Sequence, residues 1–199
     1  LCLTSPPYGK LRAYEGFAWD FKKVAVELLR VIKPGGVIIW VVGDAIKNGS
    51  ESGTSFRQAL YFLRLGFRLH DTMIYEKSGM AYPDANRYHN VFDYMFVLSK
   101  GKPACFNPIE DRRNKWIGRT GGNHVGGLCY RKVFGRRFNI WRYATGKHNS
   151  TKDISAFKHP AIFPEQLAKD HILSWTNPGM LVLDPFAGSG ALLRSAYDA

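Results

Sequence analysis

Residues 4–8, Thr-Ser-Pro-Pro-Tyr, place two adjacent prolines between a hydroxyl, Ser5, and an aromatic ring, Tyr8. Proline fixes its own backbone torsion and cannot donate to a sheet ladder, so Pro6 and Pro7 belong where a strand has stopped. The stretch reads as a rigid corner. A second stretch able to do chemistry lies near the other end, where apolar residues run into Asp184 and then Pro185-Phe186-Ala187-Gly188-Ser189-Gly190. Glycines at a strand-to-helix turn let a ligand approach the backbone, and a helix N-terminus favours an anionic group. The lysine of a triphosphate-binding loop is missing, which argues against a nucleoside triphosphate. Taken alone, each stretch also has a plain reading, as a stiff loop or a tight turn.

A sheet is needed to bring them together. Residues 1–4 read as the end of a buried strand. Phe17, Phe21, Val24, Leu28 and Ile32 recur at helical spacing, and Pro34-Gly35-Gly36 stops that helix. The apolar, β-branched run 37–42 predicts a buried strand ending at Gly43-Asp44. Phe56, Leu60 and Leu63 share one face of a second helix that halts near Gly66. Residues 67–75 and 91–99 follow each other as strands without a helix between them, so one is expected to run antiparallel. Pro164-Glu165 starts a third helix, 180–184 forms another buried strand, and the glycine turn opens a fourth helix. This alternation predicts an α/β fold with a mainly parallel sheet covered on both faces. Ligands bind such sheets at the carboxyl ends of the strands, so the two stretches are expected to share one cleft.

The chain of 199 residues is 45% hydrophobic, enough for one domain with a real core and an inserted lobe. No apolar run is long enough to span a membrane, and no signal peptide is visible. Cys2, Cys105 and Cys129 are widely spaced and odd in number; they read as reduced, buried thiols without a metal. The formal net charge of +12 points to a polyanionic partner, nucleic acid first. Much of that charge falls in 106–155, where apolar periodicity fades. Arg112, Arg113, Arg119, Arg131, Arg136 and Arg137 are interleaved there with Trp116, Tyr130, Phe134, Phe138, Trp141 and Tyr143. Cations mixed with rings suit phosphate contact and base stacking. A charged disordered loop is the alternative, and the aromatic content argues against it.

Thr4–Tyr8, the segment His159-Pro160-Ala161-Ile162-Phe163-Pro164-Glu165-Gln166-Leu167 and Asp184–Gly190 together resemble the DNA amino-methyltransferases that use S-adenosylmethionine. The order, with the Ser-Pro-Pro-Tyr corner first and the basic lobe before the other two, resembles the permuted β group. The likeness covers nearly the whole chain, 106–155 matching only in position and character. It implies a Rossmann-like methyltransferase sheet, formed by 1–105 and 156–199, with 106–155 as a target-recognition lobe. It also implies methyl transfer to the exocyclic amine of a base swung out of double-stranded DNA. On this chain it implies that Tyr8 stacks on that base while Ser5 and the Pro6 carbonyl accept the amine's hydrogens, with Pro6 and Pro7 holding the acceptors rigid. Such acceptors stabilise the charge that grows on nitrogen as it attacks the sulfonium methyl. For the cofactor it implies Asp184, Phe186, Gly188 and Gly190 in the loop, and Phe163 and Pro164 against the methionine and adenosyl parts.

Other residues keep two readings. Asp44 is a cofactor contact or a structural one. Glu165 orients a backbone or the cofactor's amino group, or is a charge at a helix start. His159 fits a structural turn better than a catalytic role, and Trp141 fits the core better than the cofactor loop or DNA. Serine at the first tetrapeptide position resembles the cytosine-N4 enzymes, where adenine-N6 enzymes more often carry Asp. Adenine N6 remains the alternative, as do an RNA or small-molecule methyltransferase and a non-catalytic nucleic-acid-binding module. Relative to the family pattern, a strand before the tetrapeptide and a ribose-binding strand after the glycine turn are missing. The chain therefore reads as a fragment with five strands and weakened cofactor binding. The expected setting is the cytoplasm of a prokaryote or phage, with a cognate restriction endonuclease as a further possible partner.

Overall fold

The computed structural model describes residues 1–7, 19–79, 85–120, 129–146, 150–151 and 162–198. Phe17, Tyr8 and His159 lie outside these residues, and Arg119 is described only as backbone in a strand. In chain order the elements are β1 (Cys2–Thr4), α1 (Phe21–Val31), β2 (Val37–Val42), β3 (Ile46–Lys47), β4 (Ser50–Glu51) and α2 (Thr54–Leu65). Then follow β5 (Arg68–Lys77), β6 (Phe92–Ser99), β7 (Arg112–Arg113), β8 (Gly118–Thr120), β9 (Cys129–Arg131) and β10 (Phe134–Gly135). β11 (Ile140–Tyr143), α3 (Glu165–Trp175) and α4 (Ala191–Tyr197) complete the series.

The main sheet has the order β1-β2-β6-β5-β11. β1 is parallel to β2 and β11 to β5, while β6 is antiparallel to both its neighbours. The helix-free pair at 67–99 thus contains the antiparallel strand, as its sequence predicts. β2 is apolar throughout because both of its faces are covered. Val37, Ile39 and Val41 pack with α3 residues Leu167 and Ala168, whereas Ile38, Trp40 and Val42 pack with Leu28 of α1 and Phe62 of α2.

Local signals account for the helices. The Asp20 carboxylate accepts from the Lys22 and Lys23 amides at the start of α1, a cap contributing about 1 kcal/mol. α2 departs from its sequence pattern. Phe56, Leu60 and Leu63 face outward, and the buried face is Ser55, Gln58, Ala59 and Phe62. Two polar residues go inside because each has a partner: Trp40 Nε1 donates to Gln58 Oε1 (2.8 Å), and Ser55 bonds Asp44.

Two expectations about strands change. Residues 181–183 make only a short parallel bridge beside β1, and Leu181 at that sheet edge is 78% exposed rather than buried. The fifth strand is instead β11, which lies inside 106–155, so the C-terminal part of the predicted lobe belongs to the main sheet. Trp141 on β11 is buried in the core, its Nε1 donating to the Phe138 carbonyl (2.8 Å), at the opposite sheet edge from the glycine turn. Of the thiols, Cys2 is fully buried but Cys105 only partly.

The other described strands of the insertion form a nested antiparallel ribbon, β7 pairing with β10 and β8 with β9. A smaller hairpin, β3–β4, turns at Asn48-Gly49, where both residues have positive φ (51° and 72°). That is the backbone an Asn-Gly hairpin turn requires.

Candidate active site

β1 and β2 are parallel, so their carboxyl ends share one edge, and residues 181–183 run parallel to β1 beside them. The Leu183 amide donates to the Leu1 carbonyl (2.9 Å) and the Leu3 amide to the Leu183 carbonyl (3.1 Å). This ladder puts Thr4 next to Asp184. Thr4 Oγ1 donates to Asp184 Oδ1 at 2.5 Å across 180 residues of sequence. The chain then leaves as Ser5-Pro6-Pro7 on one side and as Pro185–Gly190 on the other. The rigid corner and the glycine turn are therefore neighbours. Pro6 is buried; Ser5 and Pro7 are partly exposed.

Asp184 organises its own turn, since Oδ1 also accepts from the Phe186 amide (3.0 Å). Burial raises its carboxyl above the ordinary range, opposed by the bonds from Thr4 and Phe186. The Phe186 ring packs edge-on against Trp19 (4.9 Å between centroids) and lies 6.4 Å from Trp40. Gly188 and Gly190 both take left-handed φ (54° and 75°), and nothing lies within 4 Å of where a Cβ on Gly190 would stand. Glycine at 190 is needed for backbone torsion and leaves open space above the turn.

Pro164 is the N-cap of α3 and is buried, and Phe163 packs partly buried against the core cluster that contains Leu3 and Leu192. Glu165 is tied into the protein: Thr151 Oγ1 donates to its carboxylate (2.6 Å) and Arg194 of α4 lies 3.5 Å away. It thus links α3 to the helix that opens at the glycine turn.

Asp44 stands at the same sheet edge, after β2, but its carboxylate is occupied. Ser52 Oγ (2.6 Å), the Thr54 amide (2.5 Å) and the Ser55 amide (3.2 Å) donate to Oδ1, and the Ser55 hydroxyl donates to Oδ2. Burial disfavours its charge, yet these bonds outweigh burial and hold the carboxyl below the ordinary range. Of its two readings, cofactor contact and structural contact, the geometry realises the structural one: Asp44 anchors the start of α2.

The predicted DNA-facing cations divide into two groups. Arg113, Arg131 and Arg136 are exposed on the ribbon, with the apolar side chains Trp116, Phe134 and Phe138 also exposed. Arg112 is partly withdrawn; its Nε donates to the Arg136 carbonyl (2.9 Å) and its guanidinium lies over the Phe138 ring (4.5 Å). Arg137 turns inward, contrary to its expected role. Its Nε donates to Asp111 Oδ2 (2.9 Å) and its Nη1 to Asp170 Oδ2 (2.6 Å), with the guanidinium 5.1 Å from the Trp141 ring centre. Two carboxylates satisfy it, so it is not presented to a phosphate.

Sequence reasoning passed over Thr4, Trp19 and Ser55 as parts of this edge. Thr4 adjoins Ser5 in the motif, and a hydroxyl before a proline corner was the available signal. Trp19 and Ser55 gave none, because their roles depend on non-local packing.

A sheet whose ligand-facing turns sit at the carboxyl ends of adjacent parallel strands is a Rossmann-like enzyme scaffold. The N6/N4 methyltransferase family, described as DNA methylase, matches residues 1–198. The orphan methyltransferase M.BamHII of Bacillus amyloliquefaciens is 54% identical over 98% of this chain and 78% of its own length. The type II methyltransferase M.BglII of Bacillus subtilis is 26% identical over 96% of this chain, which spans about half (54%) of that relative. Among solved structures, the PvuII DNA methyltransferase (cytosine-N4-specific) superposes with a TM-score of 0.65 at 19% identity, covering 99% of this chain and 71% of that one. The M1.HpyAVI–SAM complex gives 0.60 at 18% identity, covering 99% and 75%. These superpositions show a shared Rossmann-like methyltransferase fold. The chain belongs to the N6/N4 DNA methylase family.

Proposed function

We propose that this protein methylates the exocyclic amine of a base swung out of double-stranded DNA, with S-adenosylmethionine as donor and cytosine N4 as the target. The observation that carries the reading is the 2.5 Å bond from Thr4 to Asp184, which sets the Ser-Pro-Pro corner beside the glycine turn. The turn suits such a donor: nothing stands within 4 Å of where a Cβ on the left-handed Gly190 would lie, and Phe186 supplies an aromatic ring within the turn itself. Asp184, Phe186, Gly188, Gly190, Phe163 and Pro164 would hold the cofactor, which supplies an electrophilic methyl on a sulfonium. Ser5 and the Pro6 carbonyl would accept hydrogens from the amine, drawing its lone pair out of conjugation as charge develops on nitrogen. Tyr8 would stack on the everted base. Arg113, Arg131 and Arg136, with the exposed rings of the ribbon, would face DNA.

Serine at position 5 and the fold shared with a cytosine-N4-specific enzyme favour cytosine; adenine N6 is the second reading. Mass spectrometry of nucleosides from DNA exposed to the intact enzyme and S-adenosylmethionine decides between them. N4-methylcytosine is expected. N6-methyladenine would transfer the assignment to the second reading, and no methylated base on any duplex would overturn both.

A further inference from the structure

Among the described residues, 112–120 and 129–135 form a narrow two-stranded ribbon of short strands, a form that has little stability by itself. Its direction must be set at its base. On the incoming side, Asn107 Nδ2 donates to the Leu173 and Thr176 carbonyls (3.1 and 3.0 Å) at the end of α3. On the outgoing side, Arg137 spans from the ribbon to α3. It holds Asp111, which adjoins β7, and Asp170, a buried residue of α3. Asp170 is also bonded by Tyr143 Oη (2.6 Å) and Gln166 Nε2 (2.7 Å), so its charge is fixed in place. Burial, and then Asp170, raise the Tyr143 hydroxyl above its ordinary range, which keeps it a donor. An open groove of about 500 Å³ runs along the junction, lined by Asp111 and Arg137 on the ribbon side and by Gln166 and Asp170 on the helix. Among the described residues, no other side chain between 108 and 139 bonds to α3.

A planar guanidinium can bind two carboxylates at once, which lysine cannot reproduce. We propose that Arg137 is a positioning residue: through Asp111 and Asp170 it fixes the ribbon's direction relative to the Ser5 corner, and so sets how DNA is held without touching it. The proposal rests on the reading of the ribbon as the DNA-facing surface. Phosphates gripped by the ribbon and the base delivered to Ser5 belong to one rigid duplex, so a tilted ribbon can satisfy only one of the two.

The test uses R137M, R137K, D170N and D111N in the intact enzyme. The readouts are KM for duplex DNA, kcat at saturating DNA, melting temperature, and tryptic cleavage between 112 and 136 without DNA. R137M and D170N should each raise KM for DNA by about tenfold or more while kcat stays within about threefold. D111N, at a half-exposed carboxylate whose loss leaves the core intact, should raise it less, and R137K should restore only part. Trypsin should cut the R137M ribbon faster, whatever reaction the enzyme catalyses. A raised KM in R137M with a normal D170N would overturn the proposal, because Arg137 would then be a direct DNA contact. Lower melting in all variants with KM and cleavage unchanged would reduce the cluster to a stabiliser of the fold and likewise overturn it. Faster ribbon cleavage with unchanged KM would leave the clamp standing and overturn the DNA reading of the ribbon.

Discussion

At the candidate catalytic edge, Ser5 follows the fully buried β1 and Pro185 follows the neighbouring segment 181–184, whose Leu181 and Leu183 are exposed, and one hydroxyl–carboxylate bond closes the gap between them. In the ribbon, strands are two or three residues long, Trp116 and Phe138 are 68% and 67% exposed, and direction depends on charge at the base. The first region is held by backbone ladders and apolar burial, which salt hardly affects. The second is held by ion pairs and faces solvent with cations, which salt screens. On the proposed reading, one molecule combines a stiff reaction site with an adjustable grip.

The sharpest way to break this contrast is Ser5→Ala. If the corner does the chemistry, kcat should fall by about 100-fold or more while duplex binding stays within twofold, because an acceptor aimed at developing charge acts mainly in the transition state. A normal rate would remove Ser5 from the chemistry. Thr4→Val comes next. It leaves Asp184, already raised by burial, without one of its two donors, and should cost about 1–3 kcal/mol of stability along with cofactor affinity. Calorimetric titration with S-adenosylmethionine and thermal melting measure both; unchanged values would show that the closing bond is dispensable.

Acid should expose the sheet's dependence on burial. His171 on α3 is fully buried against Trp141 and Met95, and burial pushes its imidazole down to about 3. It folds neutral, so its contribution is complete above the ordinary histidine range and is lost as pH falls from about 6.5 toward 3. The Asp44 carboxyl, held low, adds a loss in the same direction below the carboxylate range, whereas Asp184, held high, partly offsets it. The melting temperature should therefore drop between pH 7 and pH 4, and His171→Leu should flatten the upper part of that drop. The smallest effect belongs to the ribbon surface. Arg113→Ala should leave kcat at saturating DNA unchanged and lower the slope of log affinity against log salt by about 1. An unchanged slope would take Arg113 off the DNA.

What the sequence made legible follows the same division. Proline and glycine act locally, so the Pro6-Pro7 corner, the stop after α1 and the turn at Gly188–Gly190 could be read from residue type alone. Continuous apolar runs located β2 and β6. The outward face of α2 could not be read that way, because Gln58 and Ser55 go inside only by virtue of Trp40 and Asp44, partners supplied by other elements. The inward turn of Arg137 was hidden for the same reason: composition places it among exposed cations, and only tertiary structure supplies Asp170. The Asn48-Gly49 hairpin was legible in principle, being the standard pairing for that turn, though it lies in a polar stretch without strand periodicity.

The reversed direction of β6 has a consequence for how the molecule can vary. Because it runs against its neighbours, the chain departs from the sheet at Ser99, the end remote from Ser5, before the insertion begins. The chain rejoins the sheet at Ile140, which the register aligns through Ile74 and Tyr94 with Val42, so the segment that leaves at the remote edge returns level with the edge that carries Ser5. A change of length there is felt at both edges of the sheet rather than at one.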